Sequence, residues 1–444
     1  MSTSKPAGRG TAVVIGGGMA GTLAAWALRG HASRIIVIER DHYPEGPQFR
    51  AGTPQARHAH LLLEAGHRLL EQMFPGIRDE LVAAGATMVP MATGLRWLGP
   101  AGWMASHDAD IAFLSCTRAL LDHVIVQRVR AAPSIHFEQG TNVVGLTGGP
   151  YVIDGVRTVA RGTGVRSVID AEMVIDASGR SSALPRWLKE LRCPPVAEER
   201  VDPNVIYLSR LFHRDPDTDP GFGALYLQTR APLQRGTGSL LPVENGRWLC
   251  SLGSMAETEK LSGERGFDTL LSRMRDPILR ETIAGLTPAG DIRGFRPGVS
   301  VRRHYQRTAP DGLVVLGDAE TNFNPVYGQG MTAAAFGAHA LHAAVAGVGG
   351  IGHDAARVAR AQVAAVSRDP WLMSAGEDAR FPQTIGGPSG AMARWQHRYL
   401  DRVLSHATHD PAVAAAFTRV MSLLDPPTTL LRPRVLAPVL LGIR

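Results

Sequence analysis

The first block of apolar and polar positions predicts a strand, a tight turn, a helix and a second strand. Residues 11–15 (TAVVI) form a short, β-branched apolar run that is typical of a strand buried in a parallel sheet. Glycines follow at once, Thr22–Arg29 has a helical pattern, and Arg34–Ile38 is a second apolar run. The spacing predicts a βαβ unit at the start of the chain.

Later segments alternate helical and extended patterns. Leu61–Phe74 places apolar residues at helical spacing, whereas residues 200–255 alternate strand-like runs with turn signals. The second pattern predicts an antiparallel sheet. From residue 355 onward the chain has the pattern of several helices.

Length and composition narrow the class of protein. A chain of 444 residues predicts two closely joined domains, and 44% hydrophobic with 20% charged residues is typical of a globular protein. The net charge of +7 is spread without a run of like charge, so we expect no nucleic-acid partner. Cys116, Cys193 and Cys250 are far apart, which predicts no disulfide framework, no metal site and a cytoplasmic location.

Three apolar stretches could be mistaken for membrane segments. Thr11–Leu28 contains four interior glycines, and Thr332–Gly350 is rich in Ala and Gly, so both favour close packing inside the protein. Leu430–Ile443 is short and interrupted by arginines and prolines. We expect no transmembrane segment, and interpret the last stretch as a packed tail over the substrate domain; a peripheral membrane contact is the alternative.

The glycine-rich turn predicts a dinucleotide site. Residues 16–21 (GGGMAG) match GxGxxG, in which small residues allow a tight turn and let a helix N-terminus approach a pyrophosphate. An acid at the end of the second strand can accept hydrogen bonds from ribose hydroxyls, which favours FAD or NAD over NADP. The predicted contacts are Gly16, Gly18, Met19, Ala20, Gly21, Glu39 and Arg40.

A second glycine-rich segment distinguishes between these cofactors. Gly317-Asp318 follows the strand Leu313–Leu316, and NPVYGQGM follows at residues 324–331 before a helix. With the N-terminal fingerprint, this segment resembles the flavoprotein monooxygenase superfamily. The resemblance implies FAD, with Asp318 at the ribityl chain and a helix N-terminus at the flavin ring, where it stabilises negative charge. It implies contacts from Asp318, Pro325, Gly328, Gly330 and Met331.

The resemblance extends to three further segments. Arg118 matches an arginine near the FAD pyrophosphate and Val143 a strand residue at the adenine, although a solvated helix arginine and a core valine are the alternatives. Asp176–Ser182 (DASGRSS) stands at the place of the aromatic hydroxylases' DG motif but departs from it. Whether NAD(P)H binds directly or a separate flavin reductase supplies electrons therefore stays open.

Residues 54–60 (PQARHAH) carry the most distinctive local sequence. Together with the DASGR turn and Asp378–Arg380 they resemble the flavin epoxidases of polyether biosynthesis. This resemblance implies that Arg57, His58 and His60 lie in a loop beside the flavin ring; a polar helix start is the alternative. It assigns no catalytic residue, because the flavin carries the oxygen.

These features predict an FAD-dependent monooxygenase. We expect it to epoxidise C=C bonds of an apolar polyketide- or terpene-like substrate through a flavin C4a-hydroperoxide, with O2 as co-substrate and NAD(P)H as electron source, directly or through a reductase. The alternatives are an aromatic hydroxylase of a natural-product pathway and a non-oxygenase flavin reductase or desaturase. A flavin halogenase is disfavoured because the WxWxIP segment is missing.

The predicted fold is α/β. It combines a Rossmann-like FAD-binding domain with an inserted substrate domain built on an antiparallel β-sheet and a C-terminal helical region. The expected boundaries are residues 1–80, 115–190 and 295–350 for the FAD-binding domain, residues 81–114 and 191–294 for the substrate domain, and residues 351–444 for the helical region.

Overall fold

A computed structural model describes residues 10–215, 217 and 219–441; residues 1–9 and 442–444 of the expected domains lie outside the described residues. The strands in the described part of the chain are β1 (Thr11–Ile15), β2 (Arg34–Glu39), β3 (Thr87–Pro90), β4 (Leu95–Gly99), β5 (Gly102–Trp103), β6 (Ala112–Ser115), β7 (Ile135–Gln139), β8 (Thr141–Gly148), β9 (Ile153–Ala160), β10 (Arg166–Asp170), β11 (Met173–Asp176), β12 (Glu198–Asp202), β13 (Ile206–His213), β14 (Ala224–Leu227), β15 (Gly236–Val243), β16 (Arg247–Ser254), β17 (Arg293–Phe295), β18 (Ser300–Arg303), β19 (Leu313–Val315), β20 (Thr321–Asn322) and β21 (Ile385–Gly386).

Helices connect and cover these strands. The α-helices are α1 (Met19–Leu28), α2 (Glu64–Met73), α3 (Ile77–Ala83), α4 (Arg118–Arg130), α5 (Leu184–Glu190), α6 (Gly263–Ser272), α7 (Ile278–Ala284), α8 (Tyr305–Thr308), α9 (Gly330–Val348), α10 (His353–Val366), α11 (Arg368–Asp378), α12 (Gly390–His406), α13 (Pro411–Met421) and α14 (Pro433–Leu441). Short 3-10 helices span Pro54–Arg57, Gly317–Ala319, Pro325–Tyr327 and Pro427–Leu431.

A parallel sheet forms the nucleotide-binding layer. Its strand order is β19-β11-β1-β2-β7, and every neighbouring pair is parallel. The residues of β1 after Thr11 are buried, as expected for a central parallel strand covered on both faces. The helix α1 begins at Met19, earlier than the expected Thr22, because the last residues of the glycine fingerprint already form its first turn.

A larger sheet lies on the substrate side of the fold. Its strand order is β17-β13-β16-β15-β14-β4-β5, and its pairs are antiparallel except β14 with β4. Helices α6 and α7 pack on it around Phe267 and Leu279. The predicted α/β fold, with a Rossmann-like layer and an antiparallel sheet, is confirmed.

Smaller sheets connect these layers. Strands β8, β9 and β10 form an antiparallel ribbon, β3 pairs with β6, and β20-β18-β12-β21 form a four-stranded antiparallel sheet. The strand β21 at residues 385–386 thus ties a C-terminal segment to β12, which follows the first nucleotide-binding segments.

The C-terminal helices divide between the two layers. Ala355, Ala359 and Val363 of α10 are buried in the same hydrophobic core as β1 and α1. In contrast, α12, α13 and α14 pack together and against Trp97 of β4. The C-terminal region therefore helps to close both the nucleotide layer and the substrate layer.

One described helix, α9, is long and apolar enough to cross a membrane by length and composition alone. More than half of its length is buried within the protein, where Ala335, Ala338 and Leu341 belong to the core that contains α1, α2 and α10. Close packing of small residues explains its apolar composition, as the sequence predicts.

Candidate active site

The glycine turn after β1 has the geometry that the fingerprint requires. Gly16 has a φ of +93°, in the left-handed region that favours glycine, and a Cβ there would lie 2.7 Å from the carbonyl oxygen of Ala177. A Cβ on Gly21 would lie 1.8 Å from the carbonyl oxygen of Gly16. Gly21 therefore permits α1 to pack directly against the turn, which is the role that the sequence predicts for the last glycine.

The start of α1 is open to an anion. No side chain caps the helix, and its first turn contains no acidic residue. No atom of the described residues lies within 4 Å of the place where a Cβ on Gly18 would stand. The free N–H groups and the positive end of the helix dipole suit a pyrophosphate at this position.

Glu39 is buried at the end of β2 and organises the glycine turn. One carboxylate oxygen accepts a hydrogen bond from the Gly17 N–H at 2.8 Å and pairs with Arg50 at 2.9 Å; the other accepts from the Asp41 N–H at 3.0 Å. Arg50 also donates to the Gly17 carbonyl at 2.8 Å. Burial lowers the pKa of the Arg50 guanidinium, but Glu39 and Tyr43 outweigh it, so the net pKa is raised and Arg50 stays charged.

The second glycine segment forms another turn and helix start. Asn324 accepts a hydrogen bond from the Val326 N–H at 3.3 Å through its side-chain oxygen, and Gly328 has a φ of +66°. The helix α9 then begins at Gly330 without a side-chain cap or an acidic residue in its first turn. Its N-terminus is therefore available to stabilise negative charge on a bound ring.

Asp318 is an enclosed carboxyl group beside two arginines. Burial raises its pKa, and the charges of Arg180 and Arg118 partly oppose that shift. Arg180 is itself fixed by the backbone, because it donates to the carbonyl oxygens of Pro297 at 2.8 Å and Phe323 at 2.7 Å. Arg118 pairs with Asp122 at 2.6 Å.

The DASGR turn packs behind the first glycine turn. Asp176 is completely buried; it accepts from the Ser178 N–H at 3.0 Å and from the Ser182 hydroxyl at 2.5 Å. Burial raises the pKa of Asp176, while the bonds from Ser178 and Ser182 lower it. Asp176 shapes the turn, whereas Ala177, Gly179 and their neighbours face the central cavity.

The histidines of the PQARHAH loop form part of a polar cluster. His58 Nδ1 is 2.8 Å from Ser209 Oγ, and Ser209 Oγ is 2.5 Å from Ser251 Oγ, which accepts from the Ala59 N–H at 2.9 Å. Burial, followed by the charges of His60 and Arg57, lowers the pKa of His58 to about 4. Burial and the charge of Arg118 lower the pKa of His60 to about 4. Both rings are therefore neutral at neutral pH.

These segments meet around one cavity of about 610 Å³, a size typical of a cofactor or small-molecule site. Its wall contains the nucleotide turns on one side and residues of the large sheet on the other. Beyond the nucleotide turns the wall is rich in apolar and aromatic side chains, from the large sheet and from neighbouring segments, namely Met91, Leu95, Trp97, Phe113, Tyr226, Leu241, Phe295 and Met421.

Most of the predicted site residues line this cavity. They are Gly16, Gly18, Met19, Ala20, Glu39, Arg40, His58, His60, Arg118, Val143, Asp318, Pro325, Gly328, Gly330 and Met331. Gly21 and Arg57 do not line it. Gly21 serves the packing of α1, and the Arg57 guanidinium lies over the ring of Phe49, 4.8 Å from its centroid. Arg57 thus ends the short 3-10 helix Pro54–Arg57 and lies away from the cavity wall.

Sequence reasoning missed several groups that shape the wall. Arg50 lies in a loop whose pattern gave no signal, and the Ser209–Ser251 pair depends on the register of β13 against β16. A second network, which joins Tyr207 and Asn324 to Asp378, combines residues far apart in the chain. Asn324, within the NPVYG segment, and Asp378, within the Asp378–Arg380 segment, had a sequence signal, but neither signal indicated that the two side chains meet.

The chain matches known flavoproteins in sequence. Residues 12–186 match the sequence profile of the family described as FAD dependent oxidoreductase. The fold is that of FAD-binding enzymes. Two uncapped helix starts, a cavity between them and an enclosed carboxyl group at Asp318 fit such a cofactor.

Three relatives show how the similarity is distributed. Protein Rv3254 of Mycobacterium tuberculosis is 29% identical over 431 residues, which are 93% of this chain and 90% of that protein. Digeranylgeranylglycerophospholipid reductase 1 of Methanopyrus kandleri is 26% identical over 72% of this chain and 76% of its own length. The 6-hydroxy-3-succinoylpyridine 3-monooxygenase HspB of Pseudomonas putida is 22% identical over 74% and 77%, respectively.

A solved structure shares the fold at low sequence identity. The flavin-dependent brominase Bmp2 superimposes with a TM-score of 0.68 and 16% identity, and the match covers 93% of this chain and 92% of that chain. The common feature is the mixed α/β FAD-binding architecture. Both the sequence and the fold of this chain thus resemble those of flavin-dependent oxidoreductases.

Proposed function

We propose that this protein is an FAD-dependent monooxygenase that epoxidises C=C bonds of an apolar polyketide- or terpene-like substrate. The observation that carries the proposal is the composition of the cavity beyond the nucleotide turns, where aromatic and aliphatic side chains predominate. Such a wall favours an apolar substrate because burying apolar surface is favourable and leaves no polar group without a partner.

The polar groups in this wall are largely paired with one another. Trp97 donates its indole N–H to Gln228 at 3.1 Å, and the Tyr207 hydroxyl donates to Asn324 at 2.7 Å. The Ser209 and Ser251 hydroxyls share a hydrogen bond. A substrate rich in hydrogen-bonding groups would have to break these bonds, whereas a hydrocarbon chain would not.

When bound, FAD supplies the oxygen-transfer chemistry, with electrons from NAD(P)H directly or through a separate flavin reductase. The net reaction consumes the alkene, O2, two electrons and two protons and yields an epoxide and water. We expect Gly16, Gly18, Met19, Ala20 and the start of α1 to hold the pyrophosphate. We expect Glu39, Arg40, Arg118 and Val143 to contact the adenosine half, and Asp318, Pro325, Gly328, Gly330 and Met331 the flavin half.

The chain's own residues position the alkene and limit access of water. The apolar wall holds the alkene next to the flavin-facing turn, and His58 and His60 stay neutral beside it because their pKa values are about 4. A base that weak removes a phenolic proton poorly, which favours epoxidation over the phenol activation that aromatic hydroxylation usually requires. We propose a cytoplasmic location for the reaction.

The similarity to a digeranylgeranylglycerophospholipid reductase favours a second candidate, reduction of prenyl C=C bonds, on the same apolar cavity. Mass spectrometry under 18O2 distinguishes the two. The purified FAD-loaded protein, supplied with NADPH or with NADPH and a flavin reductase, is incubated with a panel of polyenes and aromatic compounds. Epoxidation adds one labelled oxygen to an alkene; a product that gains only two hydrogens identifies the reductase and refutes oxygenation.

A cavity-filling variant tests whether the apolar wall binds the substrate. Leu95 lines the cavity, so Leu95→Trp should raise KM by about tenfold or more while FAD occupancy stays at the wild-type level. Leu233 is 76% exposed and does not line the cavity, so Leu233→Trp is the matched control. Equal KM values for the two variants would place the substrate elsewhere.

A further inference from the structure

A buried carboxyl group lies behind the flavin-facing turn, at the end of α11. Asp378 is completely buried and does not itself line the cavity. Its Oδ1 accepts hydrogen bonds from Asn324 Nδ2 at 2.7 Å and from the Tyr327 hydroxyl at 2.8 Å. One oxygen atom thus holds both ends of the segment that contains Pro325 and Val326.

The same network reaches the cavity wall. Asn324, Tyr327 and Tyr207 line the cavity, and the Tyr207 hydroxyl donates to Asn324 Oδ1 at 2.7 Å. Asn324 Oδ1 also accepts from the Val326 N–H. Since Asp378 fixes the Asn324 amide group, it determines which way this amide presents its oxygen to Tyr207 and to the turn.

The surroundings of the other oxygen of Asp378 favour a neutral acid. Oδ2 is buried and has no hydrogen-bond partner among the described residues. Within the described part of the chain no ion pair involves Asp378, and Arg380, two residues away, pairs with Glu377 at 3.5 Å and with Asp401. A buried carboxylate with one unpartnered oxygen and no counter-ion is costly, so the group is more stable with a proton.

We propose that Asp378 is a positioning residue that acts as a neutral, proton-holding acid and clamps residues 324–328 in the conformation that receives the flavin. The proposal rests on the proposed function in one respect, namely that this turn faces the flavin. As a neutral acid, Asp378 accepts both hydrogen bonds through its carbonyl oxygen without placing a negative charge behind the ring.

The electrostatic surroundings agree with this state. Burial raises the pKa of Asp378 to about 7; the hydrogen bonds from Asn324 and Tyr327 lower it and the neighbouring Glu377 raises it. Glu377 itself has a raised pKa because of burial, with Arg380 opposing the shift. Tyr207 and Tyr327 also have pKa values far above their usual range because they are buried, so both hydroxyls remain donors.

The experiment compares Asp378→Asn with Asp378→Ala in the full-length protein. An asparagine resembles the neutral acid, since its amide oxygen accepts the same two hydrogen bonds. We expect Asp378→Asn to bind FAD within about threefold of wild type, and Asp378→Ala to bind it about tenfold or more weakly with a shifted flavin absorbance spectrum. Asp369→Ala, in the first turn of α11 and partly exposed, is the control for perturbation of the helix.

Two measurements do not depend on turnover. The infrared difference spectrum of wild type minus Asp378→Asn should show the carbonyl stretch of a protonated carboxylic acid at about pH 6, and this band should disappear with a midpoint near pH 7. The contribution of Asp378 to the free energy of unfolding, measured as wild type minus Asp378→Asn, should fall as pH rises from about 4 to about 7, since the native state keeps a proton that the unfolded chain releases. Asp378→Asn should lack this part of the decline.

Loss of FAD affinity in Asp378→Asn equal to that in Asp378→Ala, or no protonated-acid band at any pH, would overturn the proposal. If Asp378→Ala fails to fold, Tyr327→Phe removes one of the two bonds to Oδ1 and should weaken FAD binding in the same direction. If the Asp378 variants behave as expected but the 18O2 assay detects no epoxide, the proposed reaction is refuted and the role of Asp378 stands.

Discussion

The ion pair between Glu39 and Arg50 allows a quantitative prediction for Glu39→Gln. The side chains of Glu39 and Arg50 are only 7% and 8% exposed, and their charged atoms are 2.9 Å apart. At an effective dielectric constant of about 20, two unit charges at this separation interact by about 6 kcal/mol. The substitution also leaves an amide group where the Gly17 and Asp41 N–H donors require an acceptor.

Part of this energy is retained in the variant, because Arg50 still donates to the Gly17 carbonyl and lies over the Tyr43 ring. We therefore expect the free energy of unfolding to fall by about 3–5 kcal/mol, the range found when one partner of a buried pair is removed. FAD affinity should fall as well, since Glu39 orders the turn that contains Gly17. Urea unfolding of the cofactor-free protein, with FAD binding by fluorescence quenching, measures both effects.

Two further variants make this prediction specific. Glu190→Gln breaks a surface ion pair between Glu190, 52% exposed, and Arg186, 67% exposed. It should lower the free energy of unfolding by less than about 1 kcal/mol. The double variant Glu39→Gln, Arg50→Met should recover part of the loss, because it removes the unpaired buried charge. A loss below about 1 kcal/mol for Glu39→Gln would refute the reasoning that this pair organises the glycine turn.

Three other outcomes follow from the described structure. Gly21→Ala should abolish FAD binding, because a Cβ would lie 1.8 Å from the Gly16 carbonyl oxygen; flavin absorbance after purification measures this. Gly30→Ala is the control for loss of a glycine, since no described atom lies within 4 Å of its Cβ position, and its positive φ should cost about 1 kcal/mol in stability. The contribution of His60 to the free energy of unfolding, measured as wild type minus His60→Asn, should fall as pH drops from about 6.5 to about 4, because the pKa of His60 is lowered to about 4 in the native state; a difference that stays constant in urea titrations across this range would contradict it. Cys193 should react with a thiol reagent in the native protein, whereas buried Cys116 and Cys250 should react only after unfolding; rapid labelling of all three without denaturant would show that the core is less closed than described.

The sequence predicts local features best where one backbone position requires one residue type. Gly16 and Gly21 are such positions, because the turn and the close approach of α1 admit no larger side chain. The βαβ order and the second glycine segment could be found in the same way. These signals depend on neighbouring residues in the chain, so they can be recognised without knowledge of the tertiary structure.

Other parts of the site depend on which segments meet in space. Nothing in the pattern around Ser251 indicates that it stands opposite Ser209, since the pairing follows from the register of β16 on β13. Asp378 is similarly joined to Asn324 only by the packing of α11. Arg57 was expected in a loop beside the flavin ring, but it ends a 3-10 helix and its side chain lies over Phe49, a contact that the local sequence does not indicate.

The cavity draws its wall from segments spread along almost the entire described chain, from Ile15 to Met421. During synthesis, the first glycine turn leaves the ribosome long before the helix that carries Met421. A nascent chain therefore holds the first glycine turn without the rest of the site. Stable loading of the cofactor should follow completion of translation, and truncated products should remain colourless however well their first βαβ unit folds.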